Sequence, residues 1–294
     1  MSSRLTKLLS LLFALGLVAA ACGSDADETV DAGTDGEEAS GELDCSVDNL
    51  DLFADGGLTI ATGEPVFPPW MLDDDPTSGE GFESAAAYAL AEEMGFPPDS
   101  ITWVRTDFDV AIAPGDKDYD FNMQQYTPTD ERDEIVDFSA SYYDVQRSVL
   151  TVEGSPTDGA TTFADLAAGS WGATIGTTDL DYIENNIGIP AGDIAVFDTQ
   201  ADVVAAMVAG QIDSTVVGLP TAFYLSAVEL DGGVIAGVLP AGDGDEAMAL
   251  LFTEGNPLRD CVDVALNSLR DAGALDALAG EWLQGGGDIP TITE

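Results

Sequence analysis

From Leu58 onward, short apolar runs alternate with amphipathic or alanine-rich stretches, and this alternation runs through twice. Leu58-Thr59-Ile60-Ala61-Thr62 has the length and composition of a buried strand and ends at a Gly-Glu-Pro break. Residues 84–94 are alanine-rich, carry apolar residues on one side and stop at Gly95, which predicts a helix. Residues 101–104 and 120–124 read as two further strands. Strand-helix-strand order of this kind predicts an α/β layer with a mainly parallel sheet.

The order then restarts. Residues 162–168 read as a short helix opened by a threonine cap, 171–175 as a strand and 177–186 as a helix. Strands at 194–197 and 214–217 alternate with helices at 201–209 and 221–228. A further strand at 247–253 precedes two helices within 257–283, broken near Ala272-Gly273. Two α/β lobes on one chain imply a cleft between them. Open α/β sheets take ligands outside the carboxyl ends of their strands, and clefts between lobes favour small molecules. Position alone therefore nominates the loops at 64–70, 124–132, 176–179 and 218–221.

The first fifty residues are of another kind. Arg4 and Lys7 precede an apolar run, residues 8–21, that is too short to span a membrane as a mature helix. The run ends Ala19-Ala20-Ala21-Cys22-Gly23, which resembles a bacterial lipobox. Residues 1–21 are then a signal peptide, and Cys22 is the lipidated residue of a mature protein held at the outer face of a membrane. An ordinary secretory signal with an incidental Cys22 is the alternative. Residues 22–44 follow as an acidic tether without Lys or Arg, too polar to bury a core.

The chain has a net charge of −47, which argues against nucleic acid and anionic lipid as partners. It contains no His and three Cys, which excludes His-based triads and Cys-rich zinc sites. No metal or cofactor is expected. With Cys22 lipidated, Cys45 and Cys261 remain in an exported, oxidising setting, where a disulfide between them is expected. Two buried free thiols are the alternative.

Several ordered segments carry a resemblance. Residues 58–70 resemble the opening strand and aromatic loop of the family 3, polar amino acid type, solute-binding proteins. Gly81-Phe82-Glu83 resembles the start of that family's first helix. Thr127-Pro128-Thr129-Asp130-Glu131-Arg132, with Val136-Asp137-Phe138-Ser139 and Tyr142-Tyr143, is similar to its most specific signature. Gly176-Thr177-Thr178, Ala209-Gly210-Gln211-Ile212-Asp213, Leu258-Arg259-Asp260 and Trp282 continue the series. The resemblance implies a type II periplasmic-binding-protein fold of two α/β lobes joined by two hinge strands, near residues 150–153 and 239–245. It assigns residues 45–150 and 246–294 to the first lobe and 151–245 to the second. It implies a monomeric, non-enzymatic protein that captures an amino acid or small carboxylate and delivers it to an ABC permease in the membrane. A lipoprotein sensor for a separate receptor and a dehydratase on the same fold, with Glu64 as general acid, are the other readings.

The resemblance also names a site. Arg132 is implied to clamp the ligand carboxylate, a role that suits a planar fork charged at every working pH. Thr127 from the first lobe, and Thr177 and Thr178 from the second, are implied to donate to the same group. Helix capping is the plainer role for the latter two. Gln125 is implied as a backbone contact that adds its amide. Phe67 and Phe108 are implied as aromatic walls and Trp70 as core. Glu64 is implied to face the ligand side chain. Gly218 departs from the family, which places there an Asp for the ligand's α-ammonium. Glu64 or Asp179 then takes over that charge, or the ligand lacks a free α-amine.

Overall fold

The computed structural model describes residues 43–241, 247–283, 285 and 287–294. The signal peptide, Cys22 and the tether up to residue 42 lie outside the described residues. Eleven strands among them are β1 Leu58–Thr62, β2 Ile101–Arg105, β3 Phe121–Tyr126, β4 Val136–Phe138, β5 Tyr143–Asp144, β6 Arg147–Val152, β7 Trp171–Thr174, β8 Ile194–Phe197, β9 Ser214–Gly218, β10 Gly233–Val238 and β11 Ala247–Thr253. The helices are α1 Phe82–Glu93, α2 Phe108–Ile112, α3 Phe163–Leu166, α4 Thr178–Tyr182, α5 Gln200–Val208, α6 Leu219–Tyr224, α7 Leu258–Asp271 and α8 Ala274–Trp282.

The strands form two sheets. The first has the order β2-β1-β3-β11-β4, with β5 also paired to β11; the second has the order β10-β6-β9-β7-β8. In the first, β1 runs parallel to β2 and β3, while β11 returns antiparallel. In the second, β7 is parallel to β8 and β9, and β6 is antiparallel to β9 and β10. All five residues of β1 are buried, as a strand covered on both faces must be. Its core partners include Phe82, Leu90, Phe121, Phe252 and Val262. Helix α7 buries Leu258, Cys261, Val262, Ala265, Leu266 and Leu269, a spacing of three and four residues that makes one apolar stripe. No helix among the described residues is long and apolar enough to cross a membrane.

Helix placement follows local chemistry. The Thr162 hydroxyl caps α3, as expected, and Asp165 reaches back to it, which completes a capping box. The helix expected at 177–186 is α helical only at Thr178–Tyr182 and widens into a π turn over Ile183–Ile187. That expected at 221–228 does the same, with α6 passing into a π turn at Leu225–Glu229.

Two expectations about the lobes need correction. The first crossing is not at residues 150–153. All of β6 is laddered, from Arg147 opposite Gly218 to Val152 opposite Gly233, so this apolar run is the second strand of the second sheet. The chain crosses at Val145–Gln146, between β5 in the first sheet and β6 in the second. The last residues also do not stay with the first lobe. Thr291 bridges Val238, Thr293 bridges Thr162, and the fully buried Ile292 joins the core of the second lobe. Gly237 makes room for it: a Cβ there would lie 2.7 Å from both Ile292 Cγ1 and the Pro290 carbonyl oxygen.

Cys45 is bonded to Cys261, with Cα atoms 5.4 Å apart and a sequence separation of 216. The bond ties the start of the folded chain to α7. Replacing both with alanine is expected to cost about 2–5 kcal/mol of stability, read as a lower midpoint in guanidinium unfolding. An unchanged midpoint would show that the bond adds nothing to the fold.

Candidate ligand-binding cleft

Both sheets turn the carboxyl ends of their parallel strands towards one cleft. The loop after β1 supplies Glu64, Phe67 and Trp70, and the loop after β2 supplies Asp107 and Phe108. The end of β3 and the loop beyond it supply Gln125, Thr127 and Arg132. From the second lobe come Arg147, Thr177, Thr178, Asp179, Asp198, Gly218 and Thr221. All eight residues that the sequence put forward for the ligand line this cleft.

Arg132 sits where the lobes meet and is 7 % exposed. Its guanidinium donates to the Thr127 carbonyl at 2.5 Å in the first lobe and to the Gly176 carbonyl at 2.7 Å in the second. It also lies over the Phe108 ring, 5.7 Å from the centroid, and that ring stacks on Tyr126 at 4.5 Å. Phe108 is thus a platform for the guanidinium. Phe67 packs against the core of the second lobe and meets Tyr224 at 6.2 Å. Trp70 is core, as expected, at 1 % exposure, but its indole N–H crosses to the second lobe and donates to Thr221 Oγ1 at 2.7 Å.

The loops of the first lobe are held from behind. Helix α1 begins against the aromatic loop, with Phe82 N–H donating to the Pro69 carbonyl and Glu83 N–H to that of Trp70. Gly81 permits this approach, with φ +96° and a Cβ that would fall 2.6 Å from the Trp70 carbonyl oxygen. Arg105 joins the same loop to its neighbours, pairing with Asp74 at 2.8 Å and donating to the Gly63 carbonyl. Gln125 takes an unusual φ of +54°. A fully buried carboxylate stabilises that turn: Glu83 accepts the Gln125 backbone N–H at 2.9 Å, its side-chain amide at 2.7 Å and the Tyr142 hydroxyl at 2.5 Å. The Gln125 amide nitrogen therefore gives one of its two N–H groups to Glu83.

In the second lobe the two threonines differ. The Thr177 hydroxyl donates to the Thr174 carbonyl at 2.8 Å and accepts the Leu180 N–H at 3.2 Å, which is capping. The Thr178 hydroxyl accepts from Arg147 at 2.8 Å. Arg147 also pairs with Asp179 at 2.8 Å. Asp179, one of the acids put forward to replace the missing Asp, thus already neutralises a cation. Gly218 lines the cleft beside Arg147, its register partner, and a Cβ there would lie 2.8 Å from Val145 Cγ2. An acid at 218 would have to displace that wall.

Sequence reasoning missed Arg147, Asp107, Asp198 and the role of Glu83. Arg147 heads an apolar run in a chain with eight Lys and Arg in all, and a cation entering a buried strand is the signal that could have found it. Asp107 and Asp198 are two of 55 acids, and nothing in the sequence marks them.

A two-lobed α/β protein with a cleft at the carboxyl ends of its strands, lined by two arginines and several acids, has the type II periplasmic-binding-protein fold. The profile of the bacterial extracellular solute-binding proteins, family 3, matches residues 58–285. The chain belongs to that family. It is 30 % identical over 178 residues to the L-arginine-binding protein of Pseudomonas aeruginosa, an alignment covering 60 % of this chain and 66 % of the relative. It is 28 % identical over 214 residues to the arginine-binding extracellular protein ArtP of Bacillus subtilis, covering 70 % and 78 %. An ancestral arginine-binding protein bound to arginine superposes with a TM-score of 0.65 at 24 % identity, covering 78 % of this chain and 99 % of that one, and shows the shared fold.

Burial raises the Glu83 carboxyl above its usual range despite the donors around it. A carboxyl raised in the folded state gives stability that is complete below the ordinary range, about 4.3, and lost as pH rises through the folded value. Glu83→Gln does not titrate. Its stability relative to wild type should therefore improve as pH rises from about 4 towards neutrality, measured by urea unfolding at a series of pH values. Parallel pH profiles for the two proteins would show that burial does not perturb Glu83.

Proposed function

We propose that this chain is the capture component of an ABC-type importer, which takes up an amino acid outside the cell and presents it to a membrane permease. The observation that carries this reading is Arg132, a buried guanidinium bonded to carbonyls of both lobes inside a cleft. A carboxylate is the ligand group that matches its fork. In the open form Arg132 and Thr127 take the carboxylate on the first lobe, and Thr178 closes on it from the second. Binding favours the closed form by as much as the ligand prefers it, and the closed form docks on the permease. Cys22 holds the protein at the outer face of the membrane by its lipid.

The named relatives bind arginine, and Glu64, Asp107 and Asp198 line this cleft. Such acids suit a ligand with a cationic far end. Gly218 offers no carboxylate for an α-ammonium, so either one of these acids serves it or the ligand lacks that amine. Capture, not catalysis, is the role. The family is one of solute-binding proteins, and Glu64, the residue named for a general acid, is exposed.

The test is a thermal-shift panel on the full-length protein, pairing each amino acid with its amine-less carboxylate analogue. A ligand at a hundred times its dissociation constant adds about 2.7 kcal/mol, or roughly 2–4 °C for each kcal/mol. L-Arginine is expected to raise the midpoint, and Arg132→Met to abolish the rise. A shift with amine-less analogues alone would make Gly218 the mark of another ligand class. A panel that moves nothing would end the amino-acid reading. If L-arginine binds, Glu64→Gln should weaken it roughly 10-fold, the worth of one charge-assisted hydrogen bond; an unchanged affinity in titration calorimetry would remove Glu64 from the site.

A further inference from the structure

We propose that Arg147 is a positioning residue for capture: it holds Thr178 so that the threonine's hydroxyl proton is offered to the ligand carboxylate. The inference rests on the reading above, in which that carboxylate binds at Arg132.

A hydroxyl has one proton to donate and two lone pairs to accept with. Thr177 has used its proton on the Thr174 carbonyl and a lone pair on the Leu180 N–H. It has none left for a ligand. Thr178 is in the opposite position. A guanidinium N–H can only donate, so the Arg147 contact at 2.8 Å makes the Thr178 oxygen an acceptor. The Thr178 proton must then go to another acceptor, and Thr178 lines the cleft. Of the two adjacent threonines, Thr178 is the one that keeps a donor for an anion.

Arg147 is built to hold this geometry. It is 4 % exposed and heads β6, which is laddered to β9 and β10 on its two sides. Nε donates to Asp179 Oδ1 at 2.8 Å while a terminal nitrogen reaches Thr178 Oγ1. The guanidinium lies over the Tyr182 ring, 5.4 Å from its centroid. One planar group thus grips Thr178, Asp179 and Tyr182 of α4 together. The Asp179 carboxylate offsets its charge, so Arg147 orients the donor and leaves the direct ionic contact to Arg132.

The experiment has two arms on the full-length protein. In the first, three-bond methyl couplings of Thr178 are measured by NMR without ligand. Wild type should show one rotamer and Arg147→Met an average of several; a single rotamer in both overturns the proposal. In the second, L-arginine is titrated by calorimetry into wild type, Arg147→Met, Thr178→Val and the double variant. Each single change should weaken binding roughly 10-fold, the worth of one hydrogen bond to a charged group. Arg147→Met should add less than a twofold loss on top of Thr178→Val, because a positioning residue has nothing left to position. A full second loss in the double variant overturns the proposal and makes Arg147 an independent or merely structural contributor. If Arg147→Met does not fold, Arg147→Lys takes its place under the same criteria, since Lys keeps the charge beside Asp179 but not the fork. If wild type binds no amino acid, the capture reading falls by itself, and the couplings alone decide the role of Arg147.

Discussion

The guanidinium of Arg132 is the point on which the cleft depends. A cation taken out of water must be given acceptors, and the cost of failing to do so is several kcal/mol. Two backbone carbonyls meet that need, one from each lobe, with the Phe108 face beneath. The contact to Gly176 exists only while the lobes are together. The charge therefore ties the two lobes to each other. A ligand carboxylate arriving at the same fork joins a group whose remaining surroundings already span both lobes.

Around that centre, polar pairs are arranged so that flexible loops behave as fixed ones. Glu83 holds the turned backbone at Gln125, Arg105 and Asp74 hold the loop after β1, and Arg147 holds the start of α4. Each anchor comes from a strand or helix that packs in a core, and they reach the end of β3, the loop after β1 and the start of α4. Lobe-to-lobe contacts add to this through Trp70 on Thr221 and Phe67 on Tyr224. The binding surface is thus braced within each lobe and between them.

Much of this was legible in the sequence, for physical reasons. Strands β1, β8 and β11 are continuous apolar runs bounded by breakers, and their predicted limits agree with the observed ones within a residue. The Thr162 cap and the break at Gly273 are local signals that tertiary packing did not override. The pair Cys45–Cys261 followed from chemistry and compartment. What was not legible depends on distant partners. The resemblance put a hinge near residues 150–153, because a short apolar run does not say which strands flank it. The return of Ile292 to the second lobe is invisible without the slot at Gly237. The burden on Thr177 and Thr178 looked equal because hydroxyl proton allocation is decided by Arg147 and Thr174, and the sequence does not announce those contacts.

The bond from Cys45 to Cys261 has a mechanical side. The folded chain begins at its N-terminal end beside α7, in the first lobe, and the carboxyl terminus finishes on the second. A pull arriving along residue 43 passes through the disulfide into α7 and is spread over the first core. It does not load the short segments that join the sheets. A load applied at residue 43 would thus reach the first core through a covalent bond and bypass Val145–Gln146, where the chain passes from one sheet to the other.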